Sequence, residues 1–110
     1  MHSIQTPDEF GKILAERPAV LFYFSTKNCG VCTVLKPKVD EFFRINYPLV
    51  ELHYVDMEEN PELAAQQRIF VAPTVTVYFD GREYARLSRV FGIRELQDRV
   101  DRPYNMMFGN

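Results

Sequence analysis

Two cysteines are the residues whose type and spacing most clearly suit chemistry. They lie in Cys29-Gly30-Val31-Cys32, and no other cysteine occurs among the 110 residues. A pair this local cannot join distant loops, which is how small disulfide-rich domains use cysteine. The spacing suits thiol–disulfide exchange, one half of a zinc site, or a chance pair without chemistry. Structural zinc needs four ligands, usually in paired clusters, and the chain adds only the distant His2 and His53. No metal is therefore predicted.

The sequence after the first cysteine predicts which sulfur attacks. A helical pattern extends from Gly30 to about Ile45, which puts Cys29 at the helix N-cap or in its first turn. Unpaired amide groups and the positive end of the helix dipole stabilise a thiolate there, and the thiolate is the nucleophile. Cys32 lies one turn deeper. We expect Cys29 to form a mixed disulfide with the substrate and Cys32 to resolve it, with Gly30 leaving the approach open.

Strands and helices are predicted in the order β-α-β-α-β-α-β-β-α. The strands are expected at residues 1–5, a short edge strand, and at 19–24, 49–57, 74–79 and 82–90. The helices are expected to begin at Thr6-Pro7, Gly30, Asn60-Pro61 and Gly92, with Pro37 kinking the second and Arg102-Pro103 ending the last. Residues 101–110 would then form a tail. The long helix between two strands favours parallel pairing, and Asp80-Gly81 favours a hairpin.

This order predicts an α/β domain over residues 1–110, with a mixed central sheet of four to five strands flanked by helices on both faces. A net charge of −2 without long like-charge runs argues against a nucleic-acid binder. No apolar stretch approaches the roughly 20 residues of a membrane span, so no membrane association is expected. The N-terminus lacks a basic region followed by an apolar core, so a cytoplasmic location is expected.

Several motifs resemble the thioredoxin family over about residues 4–100. They are the apolar strand before the cysteine pair, the helix proline Pro37, Val55-Asp56 with Asn60-Pro61, Val71-Ala72-Pro73-Thr74, and the Asp80-Gly81 hairpin. The resemblance implies a thioredoxin fold and a thiol–disulfide oxidoreductase. Its partners would be protein disulfide substrates and an unidentified reductase, and no cofactor is implied.

The resemblance also implies where substrates bind. The bond between Ala72 and Pro73 would be cis and would face the cysteines, and the backbone of Ala72 would pair with an extended substrate segment. A trans proline that only begins a strand is the alternative. With Asn28, Gly30 and Val31 beside the cysteines, these residues form the predicted substrate-binding set.

Two departures from the family motif, Trp-Cys-Gly-Pro-Cys, lie next to the sulfurs. Asn28 stands where the family has Trp, and Val31 stands where it has Pro. Unlike proline, Val31 has an N–H group, which we expect to point toward the Cys29 sulfur and stabilise its thiolate. A redox potential more oxidising than that of thioredoxin is predicted from this contact.

A third departure changes the handling of protons. Thioredoxins bury an Asp behind the resolving cysteine, with a Lys nearby, and the resemblance places Tyr23 and Leu52 at those positions. A tyrosine hydroxyl, with an ordinary pKa near ~10, is a poor base at neutral pH. Water would then have to accept the proton of Cys32, so slower resolution and longer-lived mixed disulfides are predicted.

Some residues keep more than one interpretation. Lys36, one turn beyond Cys32, either raises the local positive potential or is a solvated helix lysine. His53 on its strand is either exposed, hydrogen-bonded within the fold, or functional. The altered residues Asn28, Val31 and Tyr23 also leave open a second function, a protein-binding module that uses the groove near Ala72-Pro73 with little redox turnover.

Overall fold

A computed structural model describes residues 1–109. Its elements in chain order are β1 (His2–Ser3), α1 (Pro7–Glu16), β2 (Ala19–Ser25), α2 (Gly30–Asn46), β3 (Glu51–Asp56), α3 (Pro61–Gln66), β4 (Thr74–Phe79), β5 (Arg82–Ser88) and α4 (Ile93–Phe108). The strands form one sheet in the order β1-β3-β2-β4-β5. β3 runs parallel to β1 and β2, whereas β4 is antiparallel to β2 and β5. The predicted mixed sheet is confirmed. Within the described residues, no helix is long and apolar enough to cross a membrane.

The central strand β2 is buried along its whole length because helices cover both faces of the sheet. Leu21 and Tyr23 face α2 and α4, whereas Val20, Phe22 and Phe24 face α1 and α3. Each of these five side chains is at most 1% exposed. Truncating a buried aromatic side chain to alanine costs about 3–5 kcal/mol, so β2 is a rigid base for the loop that follows it.

The N-terminal cap of α1 and the turn of the β4–β5 hairpin form at the residues that the sequence predicts. The Thr6 hydroxyl accepts the Glu9 amide at 3.1 Å, and the Glu9 carboxylate accepts the Gln5 amide at 2.8 Å. Asp80 and Gly81 both have positive φ, at 53° and 76°, as the tight hairpin between β4 and β5 requires. These elements depend on neighbouring residues only, which is why the sequence suffices to predict them.

The end of the last helix is predicted wrongly. Helix α4 continues through Pro103 to Phe108, so residues 101–108 are helical and not a tail, and Asn110 lies outside the described residues. Tertiary packing compensates for the amide that the proline lacks. The Tyr104 ring lies 4.9 Å from the Tyr47 ring and 4.8 Å from the Phe108 ring, and its hydroxyl accepts the Leu49 amide at 3.3 Å.

Strand β5 also ends earlier than predicted. It stops at Ser88, because Arg89 adopts the left-handed conformation with φ at 67° and turns the chain out of the sheet. The Arg89 amide instead donates to the Pro73 carbonyl at 2.8 Å. The segment from Arg89 to Phe91 therefore leaves the sheet beside the start of β4.

Candidate active site

The two cysteines form a disulfide where β2 gives way to α2. Cys29 is the N-cap of α2, and the Cα atoms of the pair are 5.2 Å apart. Cys29 is partly exposed, whereas Cys32 is 2% exposed. The predicted order, an outer sulfur at the helix terminus and an inner one a turn deeper, is confirmed. In the reduced form, the positive end of α2 favours the thiolate of Cys29.

The amide that reaches the outer sulfur belongs to Cys32. It donates to Cys29 Sγ at 3.1 Å, and the contact expected from the Val31 amide is not formed. The helix places Cys32, three residues after the N-cap, where capping amides ordinarily lie. Val31 instead presents its side chain outward and is 50% exposed. A more oxidising potential stays a prediction, without this contact to support it.

The Ala72–Pro73 peptide bond is cis, as the resemblance implies. Pro73 is buried at the start of β4, and the partly buried Ala72 packs against the core cluster that contains Cys32. Thr74 pairs with Phe24 in the register of β4 and β2, so the proline loop and the cysteine loop lie at the same end of these two antiparallel strands. Within residues 1–109, the backbone N–H and C=O of Ala72 have no hydrogen-bond partner.

The predicted contact residues beside the cysteines are open to solvent. Asn28 and Gly30 are both exposed. A side chain added at Gly30 would meet no atom within 4 Å, so the chain itself does not require glycine there. The structure thus exposes Asn28, Gly30 and Val31 around the disulfide and places Ala72 and Pro73 at the same end of the sheet.

Tyr23 lies directly behind the resolving cysteine. Its ring is fully buried, and its hydroxyl donates to the Cys32 carbonyl at 2.8 Å. Burial, with a smaller contribution from Tyr54, raises the pKa of Tyr23 well above its ordinary value. The hydroxyl therefore stays protonated at physiological pH, where it donates a hydrogen bond and cannot accept the proton of Cys32. The sequence predicts its position but not this bond.

A polar cleft of about 370 Å³ opens beside Cys32. It is lined by Ser25, Thr26, Lys27, Cys32, Thr33, Lys36, Pro37 and Tyr54. The Lys36 ammonium lies 4.7 Å from the centre of the Tyr54 ring, which in turn stacks on Tyr23 at 6.4 Å. Of the described residues, no carboxylate lines this cleft. Sequence reasoning missed Tyr54, although the parallel pairing of β2 with β3 puts it beside Tyr23.

Leu52 and His53 lie outside this cleft. Leu52 is partly buried and packs against the core cluster that contains Tyr23. His53 is 3% exposed on the opposite face of the sheet, where its Nε2 lies 2.7 Å from a Glu51 oxygen and its Nδ1 has no partner in residues 1–109. Burial lowers the pKa of His53, against the opposing effect of the Glu51 carboxylate. No group of three or more His, Cys, Asp or Glu in the described part of the chain is arranged to hold a metal ion.

Comparison with known proteins agrees with this geometry. Residues 2–102 match the family model described as Thioredoxin. The chain is 23% identical over 109 residues to the thioredoxin-like protein YdfQ of Bacillus subtilis, covering 99% of this chain and 94% of that protein. It is 29% identical over 100 residues to thioredoxin Asp f 28 of Aspergillus fumigatus, covering 89% of each. The X-ray structure of Fasciola hepatica thioredoxin superposes with a TM-score of 0.83 at 28% identity, covering 93% of this chain and 98% of that one.

The fold that these comparisons share is the mixed five-stranded sheet with four helices described above for residues 1–109. The cysteine pair joined at the start of α2 supports thiol–disulfide oxidoreductase chemistry at the level of the family. With a family model matched over residues 2–102, this chain belongs to the thioredoxin family.

Proposed function

We propose that this protein reduces disulfide bonds in protein substrates through Cys29 and Cys32. The observation that carries the proposal is the disulfide itself, with its outer sulfur at the N-terminus of α2 and its inner sulfur buried. An exposed outer sulfur can meet a bulky protein disulfide. A buried inner sulfur is out of reach of a bulky protein disulfide, so in the reaction it attacks the mixed disulfide that is already held beside it.

The reaction balances as two thiol–disulfide exchanges. The Cys29 thiolate attacks one sulfur of the substrate disulfide, and the other substrate sulfur leaves as a thiolate. The Cys32 thiolate then attacks Cys29 Sγ, which releases the first substrate sulfur and closes the disulfide between the two cysteines. The substrate gains two electrons, and a reductase, still unidentified, returns two electrons to the protein.

Substrate binding is assigned to the exposed residues around this pair. The unpaired backbone of Ala72 is suited to bond an extended substrate segment, as one strand bonds another. Pro73 lacks an N–H group, and Ala72 directly precedes it at the end of the sheet where β4 begins. Asn28, Gly30 and Val31 provide the solvent-exposed contacts on the other side of Cys29.

Among residues 1–109, no carboxylate lines the cleft beside Cys32 to accept its proton in the resolving step. The Tyr23 hydroxyl is committed to the Cys32 carbonyl, and its raised pKa excludes it as a base near neutral pH. Water in the cleft beside Lys36 and Tyr54 is the remaining acceptor. Resolution is therefore slower than with a positioned base, because general-base catalysis contributes typically about 100-fold or more.

Disulfide reduction by the wild type and by single cysteine variants tests the proposal. With insulin as substrate, we expect turnover by the wild type and none by Cys29→Ser or Cys32→Ser. Cys32→Ser should accumulate a mixed disulfide with the substrate, and Cys29→Ser should not. In rapid mixing, the wild type should show the same intermediate transiently. A wild type without turnover would favour the protein-binding module over the oxidoreductase.

A further inference from the structure

An apolar groove runs from the disulfide along one side of α2. It encloses about 560 Å³ between the α2 residues Gly30, Val31, Val34, Leu35 and Lys38 and the loop residues Arg89, Val90 and Phe91. Val34 is 59% exposed and Val90 is 86% exposed, so the groove is walled by apolar side chains that nothing in residues 1–109 covers. Val31, Val34 and Lys38 are three, four and seven positions apart, which puts them on one face of the helix.

Both charged residues that line the groove are cations. Lys38 and Arg89 stand on its opposite walls, one on α2 and one on the loop. Neither forms an ion pair with another described residue, although Arg17, Lys27, Arg44, Arg86 and Arg94 all do. The protein as a whole is acidic, with a net charge of −2. The apolar groove, with Lys38 and Arg89 on its walls, is therefore complementary to a peptide segment that carries an apolar side chain next to carboxylates.

The loop wall is fixed relative to the redox site. The Arg89 amide donates to the carbonyl of Pro73 at 2.8 Å, next to the unpaired backbone of Ala72. Gly30 and Val31, on the helix wall, directly follow Cys29 in the chain. A segment whose cysteine lies over Cys29 can therefore continue into the groove.

We propose that this groove selects substrates in which an apolar residue and one or two acidic residues flank the reactive cysteine. The inference rests on the proposed function and names its substrate class. The apolar side chain packs against Val34 and Val90, and the carboxylates lie between Lys38 and Arg89. Screened surface charges of this kind contribute about two- to fivefold each in rate or affinity, and their effect declines as salt is added.

Three matched peptides test the selection. Each carries one cysteine as a mixed disulfide with 4-thiopyridine, followed by a leucine and then by two Glu, two Gln or two Lys residues. Reduced protein converts each peptide to its free thiol and releases thiopyridone, while Cys29 and Cys32 become a disulfide. The released thiopyridone gives the rate spectroscopically. The neutral reporter leaves the peptide residues as the only difference between substrates.

We expect the wild type to reduce the Glu peptide about tenfold faster than the Lys peptide at low salt, with the Gln peptide between them. The variant Lys38→Gln/Arg89→Gln should lose this ratio, and Lys38→Glu/Arg89→Glu should reverse it. Lys12→Glu, which changes a lysine on α1, is the control and should keep it. Replacing the peptide leucine by serine should slow all three peptides.

The ratio of rates within one variant is independent of how much of that variant is active. Equal rates for the three peptides with the wild type, or a ratio that survives the double neutralisation, would overturn the groove proposal while the proposed function stands. If the wild type releases no thiopyridone from any peptide, the proposed function itself fails. The single variants Lys38→Gln and Arg89→Gln, each with part of the loss, provide the same test if the double variant does not fold.

Discussion

Replacing Tyr23 with phenylalanine isolates the hydrogen bond behind the resolving cysteine. The variant keeps the buried ring and its stacking on Tyr54, and it removes only the hydroxyl that donates to the Cys32 carbonyl at 2.8 Å. We expect a folded protein of lower stability, since the site is fully buried and the Cys32 carbonyl loses this donor.

The expected cost is about 1 kcal/mol. A buried intramolecular hydrogen bond contributes about 0.5–1.5 kcal/mol net. The Cys32 carbonyl lies in the first turn of α2, where the amide four residues on is its regular partner, so the carbonyl is not left wholly unsatisfied. A loss of about 1 kcal/mol lowers the urea midpoint by about 0.5 M and the melting temperature by about 4 °C in a domain of this size.

Urea unfolding of the oxidised proteins, followed by circular dichroism, measures this loss. Tyr84→Phe is the matched control, because Tyr84 is 46% exposed and its removal should change stability by less than about 0.5 kcal/mol. The raised pKa of Tyr23 keeps its hydroxyl protonated, so the difference from the wild type should be the same from pH 5 to pH 9. Repeating the measurement on the reduced proteins gives the effect on redox potential, at about 20 mV for each 1 kcal/mol of difference between the two forms.

A Tyr23→Phe protein as stable as the wild type would refute this reasoning. It would mean that the carbonyl is satisfied by its helical partner alone. The difference in unfolding free energy between the wild type and Tyr23→Phe should also persist from pH 7 to pH 9. If it disappears at pH 9, the Tyr23 hydroxyl ionises there despite its burial, which would contradict the raised pKa.

Three further predictions concern the cleft, the opposite face of the sheet and the first helix. Lys36→Met removes a positive charge from the cleft beside Cys32, so alkylation of Cys32 by iodoacetamide at pH 7, measured in a Cys29→Ser background, should slow about threefold. Lys36→Arg and the distant Lys12→Met should leave that rate near its starting value, and an unchanged rate in Lys36→Met would show that the lysine is merely solvated. Burial lowers the pKa of His53, so the unfolded state binds a proton more readily than the folded state does. The contribution of His53 to the free energy of unfolding is therefore complete above the unfolded pKa of about 6.5. It declines as the pH falls from there toward the pKa of the folded state. Urea midpoints of the wild type should therefore fall more steeply below pH 6.5 than those of His53→Phe, and parallel curves would contradict this. Thr6→Ala removes the cap of α1 and should cost about 1 kcal/mol of unfolding free energy, whereas Thr6→Ser keeps the hydroxyl and most of the stability; equal losses in both would mean that the methyl group and not the cap matters.

Local signals explain which parts of the fold the sequence predicts. The cap at Thr6, the turn at Asp80-Gly81 and the apolar run of β2 each depend on a few consecutive residues, and all three form where predicted. The continuation of α4 through Pro103 depends instead on the packing of Tyr104 against Tyr47, 57 positions earlier in the chain. A proline inside a helix signals a break unless such a distant contact outweighs it.

In the candidate site, too, the features that depend on neighbouring residues or on the family motif are predicted, and those that depend on distant contacts are not. The cysteine spacing predicts the outer and inner sulfurs, and the family resemblance implies the cis bond before Pro73. The groove has no comparable signal, because its second wall depends on the left-handed conformation of Arg89, a residue type that rarely adopts it. The cleft likewise joins Lys36 and Tyr54, which meet only after β2 and β3 have paired.

Where the family resemblance implies a buried carboxylate, this chain has Tyr23, and the difference changes the chemistry of the site more than its structure. Without its lysine partner, a buried Asp behind Cys32 would be an uncompensated charge, which costs several kcal/mol. Tyr23 and Leu52 fill the two positions without charge, and the tyrosine holds the Cys32 carbonyl in place. Geometry for exchange is thereby kept, whereas proton acceptance passes to water in a cleft that two lysines, Lys27 and Lys36, line and that no carboxylate of the described residues lines. It follows that Tyr23→Asp should shorten the lifetime of the mixed disulfide and destabilise the protein, and a longer lifetime would show that the carboxylate alone cannot act as the base.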